Sequence, residues 1–366
     1  MIPAARVQAA IELLDEIVAA AREGGASADS LVARYFKTRR YAGSKDRRAV
    51  RELVFRAIRR AGERPQSGRA AMLGLAHDDP ALLELFDGAP HGPAPLIADE
   101  AVAAAGIAPA WLLKRFDPLV GKGERAALLE RAPLDLRVNR LKGARDLAAA
   151  FFPGATATPH SPLGLRLPEG TQVEQSQAWW SGLVEIQDEG SQLLCLACGV
   201  RPGMTVLDLC AGAGGKSLAL AAEMANEGRI LASDTDRARL GRMAPRLARA
   251  GVTIAETRLL DPGKEIAALA GVEADLVLVD APCSGSGIWR RNPETRWRIT
   301  PDRVYAVCSL LAEEGRGQAD AFARRSSLVA AEVDMPAGRD AGQGRLLSPG
   351  RDGTDGFFVA RWQRPC

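Results

Sequence analysis

Two cysteines in this chain stand where covalent chemistry is expected. Cys283 lies in DAPCSGSG, Asp280 to Gly287, directly after an apolar strand-like run, and Cys308 lies in YAVCSLL. A thiolate is the side chain best suited to add to an electrophilic ring carbon, and carbon 5 of cytosine becomes nucleophilic only after something has added to carbon 6. Two such cysteines suit a cycle in which one forms the adduct and the other assists release. Asp280 shares the strand end with Cys283. The competing reading, two buried structural cysteines, accounts less well for a cysteine placed after Asp-Ala-Pro at a strand end.

A second constellation is VLDLCAGAGGKS, Val206 to Ser217, a strand running into a glycine-rich turn that opens a helix. Gly212, Gly214 and Gly215 let the backbone turn tightly beside a ligand, and the helix start offers unpaired N–H groups. A Walker A loop needs glycine five places before Gly215, where Cys210 stands, and a GxGxxG dinucleotide loop needs glycine where Ser217 stands. Asp234 ends the next strand, where an acid can accept from both ribose hydroxyls, and Asp261 follows the third strand beside the expected adenine. Each acid alone reads as a solvated loop residue; together, at successive strand ends, they favour adenosyl binding. A nitrogen-methylating site would place two prolines and an aromatic after the acid, whereas Pro282 is followed by Cys283. The chemistry points to carbon.

Past Cys283, the run IWRRNPETRWR interleaves Trp289 and Trp297 with Arg290, Arg291, Arg296 and Arg298. Stacking planes beside cations suit a single-stranded or flipped base, with Arg290, Arg291 and Trp297 as expected RNA contacts. A loop pinned to its domain by two tryptophans is the alternative. The net charge is only +3, yet Arg34 to Arg60 holds eleven Lys or Arg against Asp46 and Glu52, an excess of 11 − 2 = +9. Arg39, Arg40, Lys45, Arg47 and Arg48 in this run are expected to meet phosphates; a merely solvated face is the competing reading.

The elements that position these residues fall into three spans. Val7, Ile11, Leu14 and Val18, then Val50, Leu53, Val54 and Ile58, repeat at helical spacing, so a helical domain with its Pro- and Gly-rich connector is expected over 1–107. Residues 108–175, with a helix around Trp111 to Leu129 and a strand at Leu134 to Val138, read as a small α+β module. Over 176–366 short apolar strands alternate with helices, the pattern of an α/β doubly wound sheet.

At 366 residues, 47% hydrophobic and 25% charged, the composition is that of a folded protein. No apolar run suits a membrane span and no secretory signal is evident, so a cytoplasmic protein without a membrane partner is expected. Cys195, Cys198, Cys210, Cys283, Cys308 and Cys366 are too scattered for a disulfide scaffold. Cys195 and Cys198 form a CxxC, but His77, His91 and His160 lack ligand spacing, so two buried helix residues and no metal are expected.

Together these motifs resemble the RNA cytosine-C5 methyltransferases of the RsmB, Nop and Sun type. VEIQDEGSQL, VLDLCAGAGGKS, VDAPCSGSGIWRRNPETRW, AVCSLL and LLSPGRDGTDGFFVARW carry the likeness; APLDLRVNRLKG resembles the family's RNA-binding insert, and SKDRRAVRELVF the NusB-like helical domain of the bacterial branch. The resemblance implies a Rossmann-like S-adenosylmethionine-dependent methyltransferase domain preceded by an all-α NusB-like domain and an RNA-binding module. It implies cofactor contacts from Cys210, Ala211, Gly212, Ala213, Gly214, Gly215, Lys216, Asp234, Asp261 and Asp280. Cys308 would be the nucleophile, Cys283 would assist elimination, and Asp280 would hold the cytosine. The implied partner is small-subunit ribosomal RNA, met by a monomer. The chain departs from the family in having Val307 before Cys308 and Gly212-Ala213 in the cofactor loop. It also lacks, after Arg303, a helix and the start of a strand. A parallel crossover takes at least about 10 residues, so either the Arg and Trp loop has become the crossover, or one sheet face lies uncovered, or the sequence omits residues. The shortened segment motivates the alternative of a catalytically impaired RNA-binding or ribosome-assembly factor.

Overall fold

The computed structural model describes residues 1–281, 283–301 and 310–365, and these divide into two compact units. One comprises Met1–Arg131 with Ser284–Glu313, the other Ala132–Cys283 with Glu314–Cys366. The units do not coincide with the three expected spans: the α+β residues after 131 cluster with the later strands and helices, and the segment after Cys283 clusters with the N-terminal helices.

The helical unit is built on α1 (Pro3–Glu23), α2 (Ala28–Thr38), α3 (Ser44–Arg60) and α4 (Gly68–Asp78). Pro3 opens α1 where its missing N–H costs nothing, Gly24 closes it in the left-handed region (φ 76°), and the Ser27 and Ser67 side chains cap α2 and α4. The expected apolar positions Val7, Leu14, Val50, Val54 and Ile58 are fully buried in one core. Gly68 lies so close to α1 that a Cβ there would collide with the Ile11 carbonyl oxygen, which explains why only glycine fits this crossing. The expected helix from Trp111 to Leu129 is broken into Ala110–Leu113 and Lys122–Ala127. Between them Pro118 cannot donate to a helix, and the Asp117 carboxylate instead accepts from the Leu119 N–H at 2.9 Å.

In the second unit β1 (Leu134–Val138), β2 (Thr156–Ala157), β3 (Gly164–Leu167) and β4 (Val184–Ile186) form an antiparallel sheet in the order β2-β3-β1-β4. One face of it carries Leu136, Val138, Leu165, Leu167 and Val184 into a core of its own. A parallel sheet follows, with β5 (Thr205–Asp208), β6 (Arg229–Asp234), β7 (Ala255–Leu259) and β8 (Leu276–Leu278) in the order β7-β6-β5-β8. Parallel pairing around a central β5, with the helices Glu189–Ala197 and Gly215–Glu223 flanking it in sequence, is the Rossmann-like arrangement. The chain ends in a second antiparallel sheet of β9 (Val329–Ala331), β10 (Arg339–Ala341), β11 (Gly344–Leu347) and β12 (Phe357–Gln363).

Val277 on β8 and Val279 just beyond it are each 53% exposed. Successive odd positions share one side of a strand, so the parallel sheet presents an apolar strip on that side of β8.

Candidate active site

The glycine-rich loop leaves β5 and is shaped by two left-handed residues, Gly212 (φ 55°) and Gly214 (φ 84°). Gly214 is the N-cap of the helix Gly215–Glu223, and a Cβ there would meet Met243 Cγ at 2.7 Å, so both conformation and packing demand glycine. Backbone bonds pin the loop to β6: Ala211 N–H donates to the Ser233 carbonyl at 2.9 Å and Gly212 N–H to Asp234 Oδ2 at 2.8 Å. The other Asp234 oxygen accepts from Asp236 N–H at 2.8 Å. Each carboxylate oxygen keeps a further lone pair for a ribose hydroxyl.

Parallel pairing brings the carboxyl ends of the four strands together. Cys210 follows β5, Asp234 closes β6, Asp261 follows β7, and Asp280 and Cys283 follow β8. Asp261, Asp280 and Cys283 are exposed there, and Cys210 is half-buried. Lys216, in the first turn of the helix after the loop, donates to Asp280 Oδ2 at 2.5 Å. Burial alone would push the Lys216 ammonium down, but the charge of Asp280, with Cys195, the Asp280 hydrogen bond and Asp208, outweighs it and holds the pKa above the ordinary lysine value. Lys216 therefore stays a cation at neutral pH, held on Asp280 three residues before Cys283. Cys308 lies outside the described residues.

The residues around the loop fit an adenosyl cofactor: N–H groups and a lysine at a helix start, and carboxylates at the next strand ends. Sequence reasoning passed over Asp208, although an acid closing the strand before a glycine-rich loop was signal enough. Its carboxyl is almost fully buried and accepts from Ser217 Oγ at 2.6 Å. Burial raises its pKa to about 6 against the lowering effect of that bond. The Cys195 thiol is pushed up by burial to about 11, and Cys198 by burial and then by Cys195 to about 12, while burial and the nearby acids raise Cys210. These three are poor nucleophiles at neutral pH. Among the described residues no cluster of three or more His, Cys, Asp or Glu is arranged to hold a metal, and no helix is long and apolar enough to cross a membrane.

The expected RNA contacts divide. Arg40, Lys45, Arg47 and Arg48 are on the helical unit and exposed, and Arg39 is half-buried with its guanidinium 3.6 Å over the Tyr35 ring. The aromatic-basic run requires a correction. Trp297 is 3% exposed within the helical core and its indole N–H donates to the Ala61 carbonyl at 3.1 Å, so its ring is no open stacking plane. Arg290 is buried, with Nη2 3.4 Å from the Arg131 carbonyl oxygen, and Arg291 is half-buried. The pinned-loop alternative describes this segment, with the anchor in the helical unit.

The parallel sheet, its glycine-rich loop and the acids at its strand ends define an S-adenosylmethionine-dependent methyltransferase. Residues 196–304 match the family described as 16S rRNA methyltransferase RsmB/F. The chain is 33% identical over 301 residues to the ribosomal RNA small subunit methyltransferase B of Citrobacter koseri, covering 73% of this chain and 69% of that protein. It is 32% identical over 287 residues to the same-named protein of Escherichia coli, covering 69% and 65%. The chain belongs to this RsmB/F family of ribosomal RNA methyltransferases, and it spans roughly two thirds of the length of these relatives. Among solved structures, that of PH0851 superposes with a TM-score of 0.74 at 20% identity over 98% of both chains. NSun6 from Pyrococcus horikoshii with SFG gives 0.60 at 17% identity, over 69% of this chain and 96% of that one. These likenesses establish the fold.

Proposed function

We propose that this chain methylates carbon 5 of a cytosine in small-subunit ribosomal RNA through a covalent Cys308 adduct, as a cytoplasmic monomer. The observation that carries this reading is the gathering of the Cys210–Lys216 loop, Asp234, Asp261, Asp280 and Cys283 at one edge of the parallel sheet. S-adenosylmethionine would supply an electrophilic methyl group, held by the loop N–H groups with Asp234 on the ribose and Asp261 beside the adenine. The Cys308 thiolate adds to carbon 6 of the cytosine, which makes carbon 5 nucleophilic enough to take the methyl group. Asp280, hydrogen-bonded to Lys216, accepts from the cytosine amino or protonated ring nitrogen and holds the ring in place. Loss of the carbon 5 proton and departure of the Cys308 thiolate then restore the aromatic ring, with Cys283 assisting this elimination.

The cations Arg40, Lys45, Arg47 and Arg48 support RNA contact by the helical unit, read here as a NusB-like domain. The β1–β4 sheet is read as the family's RNA-binding insert. The test is transfer of labelled methyl from S-adenosylmethionine to unmodified small-subunit RNA, followed by nucleoside digestion. Label is expected in 5-methylcytidine with the wild type and absent with Cys308→Ala; label in another nucleoside, or transfer surviving in Cys308→Ala, contradicts the reading.

A further inference from the structure

The cofactor loop is held from outside the parallel sheet as well as from within it. Arg246, on the helix Met243–Ala250, donates through Nη1 to the Ala213 carbonyl at 2.7 Å and through Nη2 to Glu185 Oε2 at 2.9 Å. Glu185 is 2% exposed and belongs to β4 of the antiparallel sheet, where it stands opposite Arg137 of β1. Its other oxygen accepts from Arg249, one turn further along the same helix, and that guanidinium lies 3.5 Å over the Trp179 ring. A buried carboxylate between two guanidinium groups has one well-defined position, because moving it strands charge in a low-dielectric interior. The loop carbonyl that receives Arg246 sits between Gly212 and Gly214, both in the left-handed region, the part of the loop least restrained by its own side chains.

We propose that Glu185 and Arg246 are positioning residues for the cofactor loop, making its binding conformation depend on the β1–β4 sheet. This rests on the reading of the loop as the S-adenosylmethionine site. Neither residue carries out chemistry; both act through the Ala213 backbone. A charge-assisted hydrogen bond to a glycine-flanked carbonyl restricts the loop before the ligand arrives, so its loss is felt in binding rather than in the chemical step.

The test measures binding of S-adenosylhomocysteine to the full chain by calorimetry, beside initial rates of methyl transfer. Arg246→Ala and Glu185→Gln are expected to weaken binding about tenfold and raise KM for S-adenosylmethionine similarly, with kcat within about twofold. Arg246→Lys, which keeps a donor, recovers part of the loss. Arg249→Ala removes one of the two cations from Glu185 but no contact to the loop, and should weaken binding less than Arg246→Ala. If Arg246→Ala does not fold, Arg246→Lys and Glu185→Gln carry the comparison. Wild-type affinity in Arg246→Ala and Glu185→Gln overturns the proposal, as does an equal loss in Arg249→Ala. Failure of the wild type to bind overturns the loop assignment itself, and this inference with it.

Discussion

At the scale of single residues, the site separates groups that must be charged from one that resists it. Lys216 is held as a cation by Asp280, whereas Asp208 is buried against Ser217 with its pKa raised to about 6. A carboxyl whose folded pKa lies above its unfolded value contributes stability in full below about 4 and loses it as pH rises through about 6. Wild-type stability should therefore fall by about 3 kcal/mol relative to Asp208→Asn between pH 4 and pH 7, in urea unfolding of both proteins. A pH-independent difference between them contradicts the buried, weakly acidic Asp208. The strand-end acids were legible from the alternation of strands and helices, because a parallel sheet aligns its carboxyl ends whatever the intervening lengths. The pairing of Glu185 with Arg246 was not: Glu185 lies in VEIQDEGSQL, but nothing in that motif points to a partner 61 positions away.

At the scale of elements, the segment Pro293–Arg298 acts as a helix cap supplied from far along the chain. Arg296 is fully buried and its Nη2 gathers the carbonyls of Ile58, Arg59 and Ala61, the unpaired acceptors at the end of α3, at 2.5, 2.9 and 2.8 Å. Arg298 reaches the carbonyls of Gly25 and Ala26 beyond α1, and Glu294 accepts from the Ala28 N–H at the start of α2. Cations at helix ends and an acid at a helix start match the helix dipole. The composition of this run resembles a nucleic-acid contact because arginine and tryptophan serve both purposes, and local sequence cannot reveal acceptors more than 230 positions away. Arg296→Ala should cost about 3 kcal/mol in equilibrium unfolding of the full chain, with partial recovery in Arg296→Lys. A loss below about 1 kcal/mol contradicts the capping role. The break in the expected Trp111 to Leu129 helix was readable in principle from Pro118 and Gly121.

At the scale of the whole molecule, the covalent order matters more than the expected domain spans. The chain passes from Cys283 in one unit to Ser284 in the other, so the segment that follows β8 leads on to the capping segment of the helical unit. The helical unit also carries Arg40, Lys45, Arg47 and Arg48. Replacing these four by glutamate should weaken RNA binding and flatten its salt dependence, by about 0.7 in log–log slope for each phosphate left unneutralised. Unchanged affinity and slope would remove this surface from the RNA interface.

The central claim is the two-cysteine cycle, and its most direct measurement is the trapping of a covalent complex. Cys283→Ala, Cys308→Ala and the double variant would be incubated with small-subunit RNA and S-adenosylmethionine and resolved under denaturing conditions. Cys283→Ala is predicted to accumulate a protein–RNA adduct that is absent from Cys308→Ala and from the double variant. An adduct that persists without Cys308, or none in Cys283→Ala despite measurable methyl transfer by the wild type, would contradict the account.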